Sequence, residues 1–116
     1  MHKWALAAMA MLISGAVHAA QGTVDLSECA FPDAPEVPDG TTASKEQMLD
    51  GVSAMRTYVA DTETALACLS GVEESLGEEI TPEQKTELVE TYNTRFESMN
   101  QIAEQVNEQI RAYNAR

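Results

Sequence analysis

Between positions 48 and 76 the chain repeats apolar residues in alternating steps of four and three: Met48, Val52, Met55, Val59, Leu66, Leu69 and Leu76. Thr62 and Glu73 fill the two remaining places of the series. A second arm repeats the alternation through Lys85, Val89, Tyr92, Phe96, Met99, Ala103, Val106, Ile110 and Tyr113. This spacing draws one narrow stripe along a helix, the mark of a packing seam. Between the arms stands Gly77-Glu78-Glu79-Ile80-Thr81, where one helix can stop and another start. The pattern predicts an all-α fold, a long antiparallel two-helix hairpin over about 45–76 and 82–113.

Local signals set the ends. Ser44 can cap the first helix, with Gln47 three residues on as its reciprocal partner. Gly77 is a natural stop. Thr81-Pro82-Glu83-Gln84 combines a capping hydroxyl, proline at the first helical position, an acid in the first turn and a capping-box glutamine. Gly51 lowers helix propensity inside an intact period, so close packing is expected there. Counting outward from the bend pairs Leu69 with Val89, Leu66 with Tyr92, Thr62 with Phe96, and so on to Met48 with Ile110. The same count sets Glu73 opposite Lys85, a charged pair that a slip in register would separate. Tyr92 and Phe96 are expected in the core.

More apolar residues lie on one flank of each arm. Ala54, Tyr58, Ala65, Cys68 and Val72 flank the first seam, and Leu88 and Ile102 flank the second. Upstream, Cys29 to Gly40 carries prolines at 32, 35 and 38, the three-residue period of polyproline II. That period sorts Phe31, Ala34, Val37 and Gly40 into one row and Asp33, Glu36 and Asp39 into another. An extended, Pro-rich N-terminal strip could therefore cover the apolar flank with Phe31, Ala34 and Val37 and turn an acidic ridge to water. The alternative for such a composition is a free linker.

Cys29 and Cys68 are the only cysteines and are too far apart for a redox dithiol motif. Two thiols without histidine make a poor zinc site, so a structural disulfide is expected, with two free thiols as the alternative. Cys68 would stand about 35 Å along the first helix at 1.5 Å per residue. Residues 30–44 can span about 46 Å in polyproline II form, so the strip has length enough to run from Cys68 back to the helix start.

Residues 1–19 open with His2 and Lys3, continue through the apolar run Trp4 to Ile13, and end in Val17-His18-Ala19. This is the layout of a secretory signal cut after Ala19, since the run is shorter than the roughly 20 residues a membrane span requires. The expected organisation is a signal peptide at 1–19, a mobile N-terminus at 20–28, and one helical-hairpin domain at 29–116. Cleavage removes both histidines and one of seven basic residues but none of 19 acidic ones, moving the net charge from −12 to about −13. Such acidity disfavours nucleic acid and anionic membrane surfaces. No membrane insertion is expected after cleavage.

Common chemistry lacks its residues. A mature chain without histidine has no Ser-His-Asp triad, a disulfide would consume both thiols, and no glycine-rich phosphate loop or calcium-loop spacing occurs. No catalytic residues, no cofactor and no metal site are assigned, and an enzyme is not expected. Two weaker features remain. Glu73, Glu74, Glu78 and Glu79 cluster at the bend as a candidate weak cation site, although they lack the ligand spacing of a built one. Asn93, Asn100, Asn107 and Asn114 recur every seven residues on the flank away from the strip. With Tyr113 they form a candidate partner face; the bland reading of the row is a solvated edge.

In Cys29-Ala30-Phe31-Pro32, Val37-Pro38-Asp39-Gly40, Ala43-Ser44, the Tyr58 to Cys68-Leu69 spacing and the arm bearing Asn93, Asn100 and Asn107, the chain resembles a family of small exported proteobacterial proteins with no assigned activity. The resemblance covers most of the mature chain. It implies a Gram-negative cell envelope, favours the periplasm over full secretion, and brings no catalytic or ligand-binding residue with it. The expected role is a small structural or interaction protein of the envelope, partnered by a second copy or by another envelope protein. The competing role is weak binding of a divalent cation or cationic ligand through the acidic surface.

Overall fold

The computed structural model describes residues 24–116; the expected signal peptide lies outside the described residues. Two helices make up almost all of the regular structure: α1 at Lys45–Leu76 and α2 at Pro82–Asn114, packed together and joined through a short 3-10 turn at Gly77–Glu79. Both ends expected from local signals are present. The Ser44 hydroxyl accepts from the Gln47 N–H at 3.1 Å while Gln47 Oε1 accepts from the Ser44 N–H at 2.8 Å. Thr81 and Gln84 exchange the same pair of bonds at 3.1 and 2.9 Å. Each box satisfies two amides that a helix start leaves without intrahelical partners. At the far end of α1, Gly77 takes φ 55° and returns its N–H to the Glu73 carbonyl. A Cβ would strain that conformation.

Cys29 and Cys68 form a disulfide that fastens the segment before α1 to a point about three-quarters of the way along that helix. Around it lies an apolar cluster of Cys29, Leu66, Leu69 and Leu88, with Phe31, Val72, Leu76 and Ile80 packed against it. Val24 and Leu26 join this cluster, and the Val24 N–H donates to Glu87 at 3.0 Å on α2. Within the segment 20–28, expected to be mobile, Val24 and Leu26 pack against the cluster while Asp25, Ser27 and Glu28 are exposed. Leu26 and Val24 carry apolar side chains that the disulfide brings to the same groove, which is why the packing extends past Cys29.

From Cys29 the strip continues along the helices. The Arg95 guanidinium lies 4.8 Å from the centre of the Phe31 ring. Farther on, Pro38 sits over Gly51 so closely that a Cβ there would come within 2.6 Å of the proline ring, the close packing expected of that glycine. Gly40 is pressed against α2: an added Cβ would collide with the Gln109 carbonyl, and the Gly40 N–H donates to Gln109 Oε1 at 2.8 Å. Asp33, Glu36 and Asp39 are all exposed, as the acidic row requires. Ala34 departs from its row. It is exposed while Phe31 and Val37 are half-buried, so the strip touches the helices at intervals.

The buried sector of the hairpin differs from the expected seam. On α1 the row Gly51, Tyr58 and Ala65, on the disulfide side of the seam, is buried along with Met48, Thr62, Leu66 and Leu69. On α2 only Leu88, Met99 and Val106 are buried. Tyr92 and Phe96 are exposed at 38% and 43%, and Val89 at 44%, which corrects their assignment to the core. The cause is the third element. The strip and the disulfide fill the flank groove, and α2 turns Leu88 into it, which swings the neighbouring seam positions outward. At the bend the expected register holds, with Lys85 Nζ 3.7 Å from Glu73. Both side chains are largely exposed, so the pair aligns the arms while contributing under about 1 kcal/mol.

Candidate contact face

Opposite the strip, the hairpin presents a side that no part of the described chain covers. Its centre is Val89, Tyr92 and Phe96, one row of α2 at helical spacing. The Tyr92 and Phe96 rings stack at 6.3 Å between centroids and 14° between planes, an arrangement that four-residue spacing on a helix favours. Val52 and Val59 on α1 are half-buried. A shallow groove of about 260 Å³ runs between the arms where Ser70 and Leu69 meet Val89, Tyr92 and Asn93. Single exposed apolar residues are ordinary on any protein, whereas a contiguous apolar row is where partners bind.

The asparagine row borders this side. Asn93, Asn100, Asn107 and Asn114 are all exposed, and each of the first three lies two residues from a position facing the strip side. Two residues are about 200° around a helix, which puts the row on the far flank from Arg95 and Gln109. Tyr113 does not belong there. It is half-buried, with the Arg116 guanidinium 5.0 Å from its ring centre, and Arg116 also donates to the Ala43 carbonyl. It serves a clasp between the end of α2 and the start of α1.

The acidic residues at the bend are dispersed in use. Glu73 faces Lys85, and Glu74, Glu78 and Glu79 are exposed. Among the described residues, no group of three or more His, Cys, Asp or Glu side chains is placed to hold a metal ion. A second groove, about 560 Å³, lies where Val37, Pro38 and Asp39 cross α1 at Gln47 and Asp50. Asp39 there is occupied by its own turn: Thr41 donates to its carboxylate from the hydroxyl at 2.6 Å and from the backbone at 2.9 Å. Those bonds, the hydroxyl first, hold the Asp39 carboxyl below its ordinary range. Asp25 is lowered in the same way by Ser27.

The seam period alone places the uncovered row of α2 in the interior. Leu88 and Ile102 beside it, with Tyr58, Ala65 and Val72 on α1, already marked the strip side as the wider apolar stripe. No helix among the described residues is long and apolar enough to cross a membrane. Compared with known proteins, the chain matches no family model, no curated protein and no solved structure.

Proposed function

We propose that this chain is a small exported protein of the cell envelope, working in the periplasm by contact as a structural or interaction protein. One observation carries the reading: Val89, Tyr92 and Phe96 are 38–44% exposed on one side of a hairpin whose other side carries a disulfide-fastened extended strip. Leaving two stacked rings and a valine about 40% exposed in one row forgoes a little under half of the roughly 1.5–3 kcal/mol that full burial of each side chain contributes. Export is supported by the charged, apolar and small-residue layout of positions 1–19 and by the disulfide, a bond that persists in oxidising compartments.

The competing role, weak binding of cations through the acidic surface, has no comparable observation behind it. Glu73 is engaged by Lys85, and the remaining bend carboxylates are not gathered around a common point.

The test is photo-crosslinking in living cells with a reactive side chain at position 96, followed by mass identification of what is attached. The expected result is a discrete crosslinked species from the periplasmic fraction, and a mature protein beginning at Ala20. A protein found in the cytoplasm, or one that gives no species at position 96 above that of a control at exposed Ala34, overturns the reading.

A further inference from the structure

We infer that the uncovered side is the seam of a self-paired assembly: a second copy of this chain lies across it, antiparallel, making a four-helix bundle with both strips outside. The inference rests on the contact reading above and names its partner.

Charge is the first argument. On α1 this side carries Leu49, Val52, Arg56, Val59, Glu63 and Ser70; on α2 it carries Asn93, Asn100 and Asn107 beside Val89, Phe96 and Ala103. The charges on or beside this side are Arg56, Glu63, Glu74 and the Glu73–Lys85 pair, two basic and three acidic, in a chain with 19 acidic and seven basic side chains. Other long surfaces are acidic. Glu83, Glu90, Glu97 and Glu104 repeat every seven residues on the outer side of α2, and the strip turns Asp33, Glu36 and Asp39 to water. Two copies of so acidic a chain repel one another wherever those surfaces meet. This nearly balanced apolar side is where a like-charged copy can approach, and a cationic partner would be drawn to the acidic surfaces instead.

Two of these charges also fit a two-fold axis. Arg56 and Glu63 lie seven residues apart in one row, about 10.5 Å along α1. An axis crossing α1 midway between them sets each Arg56 against Glu63 of the second copy, so one pair of residues supplies two ion pairs of an isologous interface.

Area is the third argument. A 32-residue helix is about 48 Å long, and two helices side by side present a face roughly 18–20 Å wide. The side therefore offers about 900 Å² per copy, against the roughly 800 Å² that a stable interface takes from each partner. The strip and the disulfide lie on the other side and do not obstruct it.

Sedimentation equilibrium of the oxidised protein at physiological salt tests this. The wild type is expected at twice the chain mass through the micromolar range. Phe96→Glu, an exposed position whose change leaves the fold intact by circular dichroism, is expected to weaken pairing at least about 100-fold, because the two-fold axis counts an aromatic anchor twice. Arg56→Glu and Glu63→Arg are each expected to weaken it about tenfold, and the double swap to restore it. Pairing untouched by Phe96→Glu, or a double swap no better than the singles, overturns the proposal. A monomeric wild type overturns it too, and the crosslink at position 96 then separates the cases: a foreign protein attached there keeps the contact reading, and nothing attached removes both.

Discussion

The two long sides of α2 are built from similar residues and have opposite fates. Leu88, on the strip side, is 3% exposed; Val89, the next residue, is 44% exposed. Nothing in their intrinsic hydrophobicity separates them. What differs is the third layer, since Cys29 and Phe31 close the groove beside Leu88 while Val89 has only the facing arm at Leu69 and Ser70 beside it. A two-helix hairpin leaves each arm with two flanks and one neighbour, so the first extra element to dock decides which flank becomes core.

The largest test of that contrast is to remove its cause. Replacing Cys29 and Cys68 together by alanine opens a loop of 39 residues and is expected to cost about 4 kcal/mol on the chain-entropy account. Urea denaturation measures the loss. Amide exchange should also show residues 24–43 losing protection well before the helices do. A protein that kept both its midpoint and its strip protection would show that apolar contact alone holds the closed side. Next in size comes the neighbouring pair. Leu88→Ala is expected to cost about 3 kcal/mol through a cavity in the cluster, and Val89→Ala under about 1 kcal/mol in the monomer. Equal losses would mean that the two sides are not different in kind.

How far this contrast could be read beforehand depends on the range of the forces involved. Ser44 with Gln47 and Thr81 with Gln84 act within three residues, and both helix starts are where those residues put them. The disulfide follows from there being two cysteines, and Glu73 opposite Lys85 follows from counting outward from a short bend. The position of α2 about its own axis is another matter. Tyr92 and Phe96 fit the seam period as well as any residue on the arm, and their exposure depends on a segment more than 50 positions upstream. Periodicity measures the width of an apolar stripe and leaves open which edge of it another element will cover. For the contact face, the asparagine row was visible as a regularity, while the apolar row beside it was assigned to the interior.

A smaller test concerns the middle of α1. Thr62 is 1% exposed and its hydroxyl has no hydrogen-bond partner. Thr64, Ser70 and Ser75 on the same helix each return their hydroxyls to the carbonyl four residues back. Thr62 buries a polar group uncompensated by any such bond, which is unfavourable by about 1–3 kcal/mol. Thr62→Val keeps the branched shape and removes the hydroxyl, so it is expected to stabilise the protein by about 1 kcal/mol in thermal or urea unfolding. A destabilised valine variant would reveal a water or a partner for the hydroxyl in solution.

The smallest effect lies at the far end of the closed side, where the strip turns into α1. Asp39 organises that turn. Its carboxylate accepts from the Thr41 hydroxyl and N–H, and its carbonyl accepts from Ala43 at 2.8 Å, beside the Gly40 N–H held by Gln109. Because these bonds lower the carboxyl's pKa from its ordinary 3.8, they contribute stability that is complete above the unfolded value and is lost as pH falls through the depressed folded one. The group is fully exposed, so solvent screens the effect and the midpoint should move little. The sharper readout is local. On acidification below the usual aspartate range, exchange at the Gly40 and Ala43 amides, corrected for intrinsic rates, should rise while Cys29 and the aromatic row of α2 are unchanged. Asp39→Asn retains an accepting oxygen but no titration, and should flatten that response. If acid instead loosened the strip from Cys29 onward, the closed side would be one cooperative unit, and its difference from the open side would rest on charge as well as on covalent fastening.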